Sequence, residues 1–274
     1  MRWVEKYLQE DVGNGDITTL ALIGDEEGTA RVKANEGGVV AGLEQAIEVF
    51  THLDLKVTAL VMDGEAVPAG ANVLSIEGPL RSILTGERLA LNFLMRMSGI
   101  ATATSRIVQT CRERNPDIRV AATRKTTPGF RHFEKRAVVL GGGDPHRSRL
   151  DDAILIKDNH LAVVGSITEA VRRARKVSFT KKVEVEVESL DGAEEAARAG
   201  ADIILLDNME PKKAARCAEA IRHIDPRIVV EASGNITPEN APEYADAVDV
   251  ISLGWITHSV RAMQFSLDVL EIRS

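Results

Sequence analysis

The sequence has no apolar run that approaches the roughly 20 residues a transmembrane helix requires. Its opening stretch, MRWVEKYLQED, contains no apolar segment of the signal-peptide type. Cysteine is scarce, and the spacing of Cys111 and Cys217 matches neither a disulfide framework nor a metal site, so we expect two small buried or half-buried thiols. These absences predict a globular, cytoplasmic protein.

Recognisable catalytic and metal-binding motifs are also missing. The chain contains no HExxH sequence, no cluster of cysteine and histidine, and no nucleophile elbow. The formal net charge of −7 argues against a general nucleic-acid binder. A length of 274 residues is compatible with one large domain or two small ones.

Positive charge is nevertheless concentrated in one segment. Residues 124–157 contain eight lysines and arginines but only four acidic residues. A basic patch within an acidic chain predicts a small anionic ligand, although a solvated charged loop would show the same composition.

From about residue 118 the chain alternates strand and helix patterns, which predicts parallel strands covered by helices. The expected strands are DIRVAATRK, DAILIKD, KVEVEVES, ADIILLDN, RIVVEASG and VDVISLG, at 117–125, 152–158, 182–189, 201–208, 227–234 and 248–254. The expected helices between them include SITEAVRRARK, DGAEEAARAG, EPKKAARCAEAIRHI and TPENAPEYADA. A partial β/α barrel or a doubly wound sheet fits this order. Before residue 100 the pattern is mixed, and it ends in a long helix that begins near Leu80.

Each predicted strand ends in a polar side chain or a glycine. Parallel β/α folds place their sites at the carboxyl ends of the strands, so these ends predict a shared polar mouth. In KVEVEVES the valines alternate with Glu184, Glu186 and Glu188. Because both faces of such a strand are covered, at least one glutamate is expected to point into a polar interior. We expect this of Glu186, with Glu184 deeper and Glu188 nearer the rim.

Two kinds of loop add candidate anion ligands. Arg124 and Lys125 end a strand before a Thr-Thr-Pro-Gly turn, and arginine offers a planar fork for a carboxylate or phosphate. After RIVVEASG we expect a helix with Thr237 as N-cap and Pro238 at its first position, whose free N–H groups would suit a phosphate. Gly254 forms a second turn of this kind.

Taken together, several segments resemble the quinolinate phosphoribosyltransferase family. They are TRKTTPGFR, GGGDPHRSRLDDAILIKDNH, EVEVES, LLDNM, EASGNI, SLGWITHS and, earlier, EDVGNGDITT and GERLALNFLMRMSGIAT. The motifs follow the family's order over nearly the whole chain.

The resemblance implies an enzyme that joins quinolinate to phosphoribosyl pyrophosphate and makes nicotinate mononucleotide for NAD synthesis. Pyrophosphate and carbon dioxide are released, and Mg²⁺ accompanies the pyrophosphate. The implied fold is an N-terminal α/β sandwich (residues 1–104, joined by the tail 255–274) plus an incomplete β/α barrel (residues 105–254). The implied working unit is at least a homodimer, with a hexamer of three dimers as the larger candidate.

The resemblance also assigns roles to residues. Quinolinate would meet Arg88 of a neighbouring subunit together with Arg124, Lys125, His146, Arg147 and Lys157. The ribose and metal side would be served by Glu186 and Asp207, and the catalytic set would be Lys125, Lys157, Glu186 and Asp207. The 5′-phosphate would be cradled by Ser233, Gly234, Asn235 and Gly254.

The chain departs from the family pattern at Asn235, where many members have glycine, and at Trp255, where a small residue is usual. Three alternatives stay open from the sequence. One is a nicotinate phosphoribosyltransferase or a molybdenum-transport-associated homologue of the same fold. Another is a Schiff-base aldolase that uses Lys157, although no hydrophobic pocket around this lysine is evident. The third is an anion-binding protein without activity.

Overall fold

A computed structural model gives the architecture of residues 3–273, which divide into two compact units. One unit contains the residues up to Ala103 together with those from Val260 onward, and the other is Thr104–Ser259. The boundary between Ala103 and Thr104 falls inside a single long helix, Leu80–Arg112. Among the described residues, no helix combines the length and apolar character needed to cross a membrane.

The first unit is built on a four-stranded antiparallel sheet. Its elements are α1 (Trp3–Val12), α2 (Ile17–Leu22), β1 (Glu27–Ala34), β2 (Gly38–Val39), α3 (Leu43–His52), β3 (Lys56–Ala59), β4 (Ala66–Val67), β5 (Asn72–Pro79), the first part of α4 (Leu80–Arg112) and, from the chain's end, β12 (Phe265–Arg273). The strand order is β12-β1-β5-β3. Ala34 pairs with Phe265 and Glu27 with Arg273, so the C-terminal strand is an integral edge of this sheet.

The core of this unit follows from side-chain periodicity. Helix α3 buries Leu43, Ala46, Val49 and Phe50 on one face, at the spacing expected of an amphipathic helix. On α4, the buried side chains include Leu91, Leu94 and Met97, as the sequence predicts for its long apolar helix. The start of this helix at Leu80 is also as predicted.

The second unit is a six-stranded parallel sheet flanked by helices. Its elements are β6 (Arg119–Ala122), α5 (Arg131–Leu140), β7 (Ile154–Ile156), α6 (Asp158–Val164), α7 (Ile167–Ala174), β8 (Val183–Val187), α8 (Leu190–Arg198), β9 (Ile203–Asp207), α9 (Pro211–Ile224), β10 (Val229–Ser233), β11 (Val250–Leu253) and α10 (Trp255–His258). The order is β6-β11-β10-β9-β8-β7, with parallel pairing throughout. All six predicted strands are confirmed, and the arrangement is that of a partial β/α barrel.

Local sequence signals account for the helix starts. Ser166 and Ser189 cap α7 and α8 by accepting hydrogen bonds from the N–H groups of Glu169 and Gly192. Pro211 occupies the first turn of α9, where its missing N–H is not needed. Cys111 and Cys217 are both buried free thiols, as predicted.

One predicted helix is wrong. In place of an α-helix that begins after Thr237, the chain forms turns and a short 3₁₀ segment, Ala241–Tyr244. Thr237 begins only one turn: its carbonyl accepts the N–H of Ala241 at 3.0 Å, and its own N–H donates to the side-chain oxygen of Asn240 at 2.8 Å. Pro242 lacks an N–H and disfavours a continuous helix through this stretch. The phosphate-binding helix terminus expected at Pro238 is therefore absent from the described structure.

Candidate active site

The carboxyl ends of the parallel strands surround a cavity of about 430 Å³ in the second unit. Strands β6 and β7 lie at opposite edges of the sheet, yet residues that follow both line this one cavity. The sheet is therefore curved enough to bring its edges around a common space. The lining residues are Ala122, Thr123, Arg124, Lys125, His146, Arg147, Leu155, Lys157, Glu184, Glu186, Leu205, Asp207, Asn208, Glu231, Ser233, Gly234, Asn235 and Ser252.

Most of the residues predicted from sequence meet here. Those that line the cavity are Arg124, Lys125, His146, Arg147, Lys157, Glu186, Asp207, Ser233, Gly234 and Asn235. Two predicted residues do not line it. Gly254 precedes α10, and a Cβ added there would lie 3.0 Å from Cδ of Lys125, so its lack of a side chain leaves room for that lysine. Arg88 lies on α4 in the first unit, with a side chain 59% exposed and 4.0 Å from Glu87.

The loop that carries Arg124 and Lys125 is held by a buried carboxylate. Glu134 on α5 is fully buried and accepts hydrogen bonds from the N–H of Thr127 at 3.0 Å and from its hydroxyl at 2.9 Å. The hydroxyl of Thr257 donates to the carbonyl of Lys125 at 2.7 Å. These contacts fix the turn after β6, so that the basic pair projects from a rigid base.

Two guanidinium groups in this region have unused hydrogen-bonding capacity. The Nε atoms of Arg124 and Arg147 are buried and have no hydrogen-bond partner among the described residues. Buried polar groups are normally satisfied, and arginine is the side chain best shaped to bind a carboxylate. Both observations indicate that an anionic ligand completes these contacts.

His146 is held on both sides of its ring. Its Nε2 lies 3.1 Å from Oε2 of Glu231, and its Nδ1 accepts the backbone N–H of Arg147 at 2.7 Å. The other oxygen of Glu231 accepts the hydroxyl of Ser252 at 2.5 Å. Since Nδ1 is an acceptor, the ring proton belongs on Nε2, where it is donated to Glu231. His146 thus ties the Arg147 loop to the buried end of β10.

The bottom of the cavity holds two buried carboxyl groups. Glu184 and Glu231 have side chains 1% and 3% exposed, and neither oxygen of Glu184 has a hydrogen-bond partner among the described residues. Burial, reinforced by the charge of Glu231, raises the pKa of Glu184. Burial lowers the pKa of His146, but the hydrogen bond and charge of Glu231 and the charge of Glu184 outweigh it, so the net shift is upward.

Lys157 joins the basic and acidic sides of the cavity. It follows β7, and its Nζ is in direct contact with Oε2 of Glu186 on β8. A Schiff-base lysine is typically activated by a hydrophobic pocket or a second cationic group, whereas the Lys157 side chain is 46% exposed and contacts a carboxylate. The contact therefore disfavours the aldolase alternative.

The acidic side is formed by Glu186 and Asp207 at the ends of two neighbouring strands. Burial and the negative charge of Glu186 raise the pKa of Asp207. Two hard oxygen ligands that repel each other fit a Mg²⁺ ion, which would relieve the repulsion. The residues predicted for magnesium are thus chemically suited to it.

A second set of ligand-type side chains is less suited to magnesium. His146, Glu184 and Glu231 have ligand atoms within 4.8 Å of one another, the only such group of three in the described part of the chain. Mg²⁺ prefers oxygen ligands, and the Nε2 lone pair is unavailable while this nitrogen carries the proton donated to Glu231. We therefore interpret the hydrogen-bonded pair of His146 and Glu231 as a buried support, with Glu184 packed beside it.

Some cavity residues were missing from the site that the sequence predicts. They are Thr123, Glu184, Asn208, Glu231 and Ser252, together with two apolar leucines and an alanine. A signal was present for Glu231, because it lies two residues before Ser233 on the same strand and alternation places both on one face. The expectation that Glu184 lies deeper than Glu186 is confirmed by its burial.

A curved parallel sheet with cations and carboxylates at its carboxyl ends defines a β/α enzyme-type site for an anionic ligand. Comparison with known proteins agrees. Residues 16–98 match the family model "Quinolinate phosphoribosyl transferase, N-terminal domain", and residues 100–268 match the corresponding C-terminal domain model. The chain belongs to the quinolinate phosphoribosyl transferase family.

Individual relatives are similar over nearly their whole length. The chain is 50% identical to a probable nicotinate-nucleotide pyrophosphorylase (carboxylating) of Methanothermobacter thermautotrophicus, with 97% of each protein covered. It is 40% identical to the nicotinate-nucleotide pyrophosphorylase (carboxylating) of Homo sapiens, covering 96% of this chain and 89% of that protein. The crystal structure of NadC from Streptococcus pyogenes superposes with a TM-score of 0.91 at 42% identity, covering 98% of this chain and 96% of that one.

Proposed function

We propose that this protein transfers the phosphoribosyl group of phosphoribosyl pyrophosphate to the ring nitrogen of quinolinate. The products are nicotinate mononucleotide, pyrophosphate and carbon dioxide, and the reaction serves NAD synthesis. The observation that carries the proposal is the lining of the cavity. It includes two arginines whose Nε atoms have no hydrogen-bond partner among the described residues, and it includes the carboxylates of Glu186 and Asp207. The names of the similar proteins support the same activity.

The basic side suits a pyridine dicarboxylate. Arg124 and Arg147 each have an unpartnered buried Nε, and Lys125 lines the same space. Two guanidinium groups can bind two carboxylates, one of which leaves as carbon dioxide after the glycosidic bond has formed. In this arrangement His146 holds the Arg147 loop in place, and direct contact between the imidazole and quinolinate stays a prediction.

The acidic side suits the sugar. As pyrophosphate leaves, positive charge develops on the ribose, and carboxylates held nearby stabilise it electrostatically. Glu186 and Asp207 are placed for this role, with Lys157 orienting Glu186. The same two carboxylates would hold Mg²⁺, which supplies charge neutralisation for the pyrophosphate group. Ser233, Gly234 and Asn235 line the cavity beyond them and would face the 5′-phosphate, a role we also assign to Gly254.

A product assay tests the function. We expect nicotinate mononucleotide to form from quinolinate and phosphoribosyl pyrophosphate, with carbon dioxide released in equal amount. A site built to pair two carboxylates leaves charges unpaired with nicotinate, so kcat/KM for nicotinate should be lower by about 10⁴-fold. Comparable use of nicotinate would contradict the quinolinate assignment and favour the monocarboxylate alternative.

We also propose a homodimer, or a hexamer of three dimers, in which Arg88 of one subunit completes the cavity of another. The exposure of Arg88 is compatible with this role. Mixed subunits of inactive Arg88→Ala and inactive Lys157→Ala should recover activity through hybrid sites. No recovery, with subunit exchange shown by native mass spectrometry, would contradict a shared site. The cytoplasmic location stays a prediction.

A further inference from the structure

Two asparagines at the acidic side adopt a backbone conformation that most residues avoid. Asn208 and Asn235 have φ of 52° and 51°, and Gly234, which directly precedes Asn235, has φ of 83°. The left-handed region is costly for side chains with a Cβ, and asparagine tolerates it better than most. Asn208 follows Asp207 at the end of β9, and Asn235 follows β10, so neighbouring strand ends share the feature.

The two side chains form a directed chain of hydrogen bonds. The Nδ2 group of Asn235 donates to Oδ1 of Asn208 at 2.9 Å, and the Nδ2 group of Asn208 donates to Oδ2 of Asp207 at 2.6 Å. A primary amide presents a carbonyl on one side and an NH₂ on the other. Because Asn235 occupies the carbonyl of Asn208, the NH₂ of Asn208 must face the carboxylate.

The backbone beside these hydrogen-bonded side chains leaves space for them. A Cβ added to Gly234 would lie 2.4 Å from Oδ1 of Asn208 and 2.6 Å from Oδ1 of Asp207. The N–H of Asn208 donates to the carbonyl of Ser233 at 2.9 Å, which joins the two strand ends. Asn240 supports the far end, since its Nδ2 donates to the backbone oxygen of Asn235 at 3.2 Å.

We propose that Asn235 and Asn208 are positioning residues, in which Asn235 sets the amide orientation of Asn208 and Asn208 in turn holds the carboxylate of Asp207. This inference rests on the proposed function, which places Asp207 at the ribose and pyrophosphate. With Oδ2 bound to Asn208, Oδ1 of Asp207 lies against Gly234, where an added Cβ would come within 2.6 Å of it. Without the Asn235 side chain, the carbonyl of Asn208 loses its donor and no longer fixes the amide orientation.

The decisive variant is Asn235→Gly, because glycine accepts the left-handed backbone and removes only the side chain. One hydrogen bond contributes modestly, so kcat/KM for phosphoribosyl pyrophosphate should fall by about 3- to 10-fold. Quinolinate affinity, measured by calorimetry, should stay within about twofold, and the thermal midpoint should not fall. An unchanged kcat/KM would overturn the proposal.

A double-mutant cycle distinguishes the proposed relay, the hydrogen bonds from Asn235 to Asn208 and from Asn208 to Asp207, from a general displacement of the loop. In an Asn208→Gly background, which keeps the left-handed backbone at this position, Asn235→Gly should change kcat/KM by less than about twofold, because its only route to Asp207 is gone. If the double variant loses the product of the two single fold-changes in kcat/KM, the two side chains act independently and the relay is overturned. Asn240→Ala is the matched control, since it loosens the Asn235 loop without touching the amide chain. If it lowers kcat/KM as much as Asn235→Gly, loop position and not amide orientation is responsible.

A readout independent of turnover distinguishes failure of this inference from failure of the proposed function. The side-chain NH₂ protons of Asn208 should exchange with solvent faster in Asn235→Gly than in the wild type. Unchanged exchange would overturn the relay even if the enzyme makes nicotinate mononucleotide. A changed exchange rate in a protein that forms no product would instead support the relay and overturn the proposed function.

Discussion

The edge strands and the interior strands of the parallel sheet carry opposite charges into the same cavity. Lys125 and Lys157 follow β6 and β7, the two edges, and the His146–Arg147 loop lies beside β6 through a bridge between Ala121 and Asp144. The carboxylates come from β8, β9 and β10, which have a strand on both sides. Charge is thus separated by strand position within a protein whose net charge is −7.

This difference shows how an acidic chain can bind anions. Short carboxylate side chains lie on strands hydrogen-bonded on both sides, where their positions are most rigid. The basic side chains reach in from the edges, where Lys157 contacts Glu186 and the His146 ring, next to Arg147, donates to Glu231. Glu186 therefore has two purposes in the proposed function, since it would face the sugar and it also contacts Lys157.

The largest effect is expected on the basic side. Arg147→Ala should weaken quinolinate binding by about 2–5 kcal/mol, the range for truncating one partner of a buried charge pair. Affinity for phosphoribosyl pyrophosphate should change much less. Calorimetry on each ligand measures both, with Arg149→Ala as the control because Arg149 is exposed and does not line the cavity. Equal losses for the two ligands would show that the sides of the cavity are not specialised.

The next effect tests the interior strands. Glu186→Gln and Asp207→Asn should lower kcat by about 10²-fold, because each removes charge that acts mainly in the transition state. Steady-state kinetics for both substrates provides the measurement. Glu188→Gln is the control, since Glu188 is exposed just beyond the end of β8. A pure rise in KM, with kcat intact in both variants, would mean that these acids only bind substrate.

The smallest effect concerns a buried cation behind the basic side. Burial lowers the pKa of Lys135 to about 8, and its Nζ contacts the carbonyl of Pro145 next to His146. Between this value and the ordinary pKa of about 10.4, the unfolded chain binds a proton that the folded protein does not. Lys135 should therefore add about 1–3 kcal/mol to the free energy of unfolding as pH rises through this range.

Denaturant unfolding of the wild type and Lys135→Met from about pH 7 to 10 measures this dependence. The stability of the wild type relative to the variant should increase across that interval and stay constant below it. Arg136→Met, at an exposed neighbouring position, should show no such slope. If the free energy of unfolding depends on pH in the same way for the wild type and Lys135→Met, burial does not lower the pKa of Lys135.

Much of the fold and of the site could be predicted from local patterns. The alternation in 182–189 indicated a strand with inward glutamates, and the polar ends of the six strands indicated the mouth. The error at Thr237 arose because a cap residue and a proline suggest a helix start, while Pro242 five residues on has no N–H with which to continue an α-helix. Periodicity and turn chemistry act over a few residues, so they are visible in the sequence.

The partners of the site residues were decided only by the tertiary structure. His146 and Glu231 are 85 positions apart, Lys157 and Glu186 are 29 apart, and Asn208 and Asn235 are 27 apart. Nothing in the residues near Asn208 shows that its amide oxygen meets a donor from the next strand. The sequence by itself determined which side chains end each strand. Which of them are in contact depends on the strand order, on the curvature that brings β6 and β7 to one cavity, and on the left-handed turns. These features set the distances between segments, and local sequence patterns do not encode such distances.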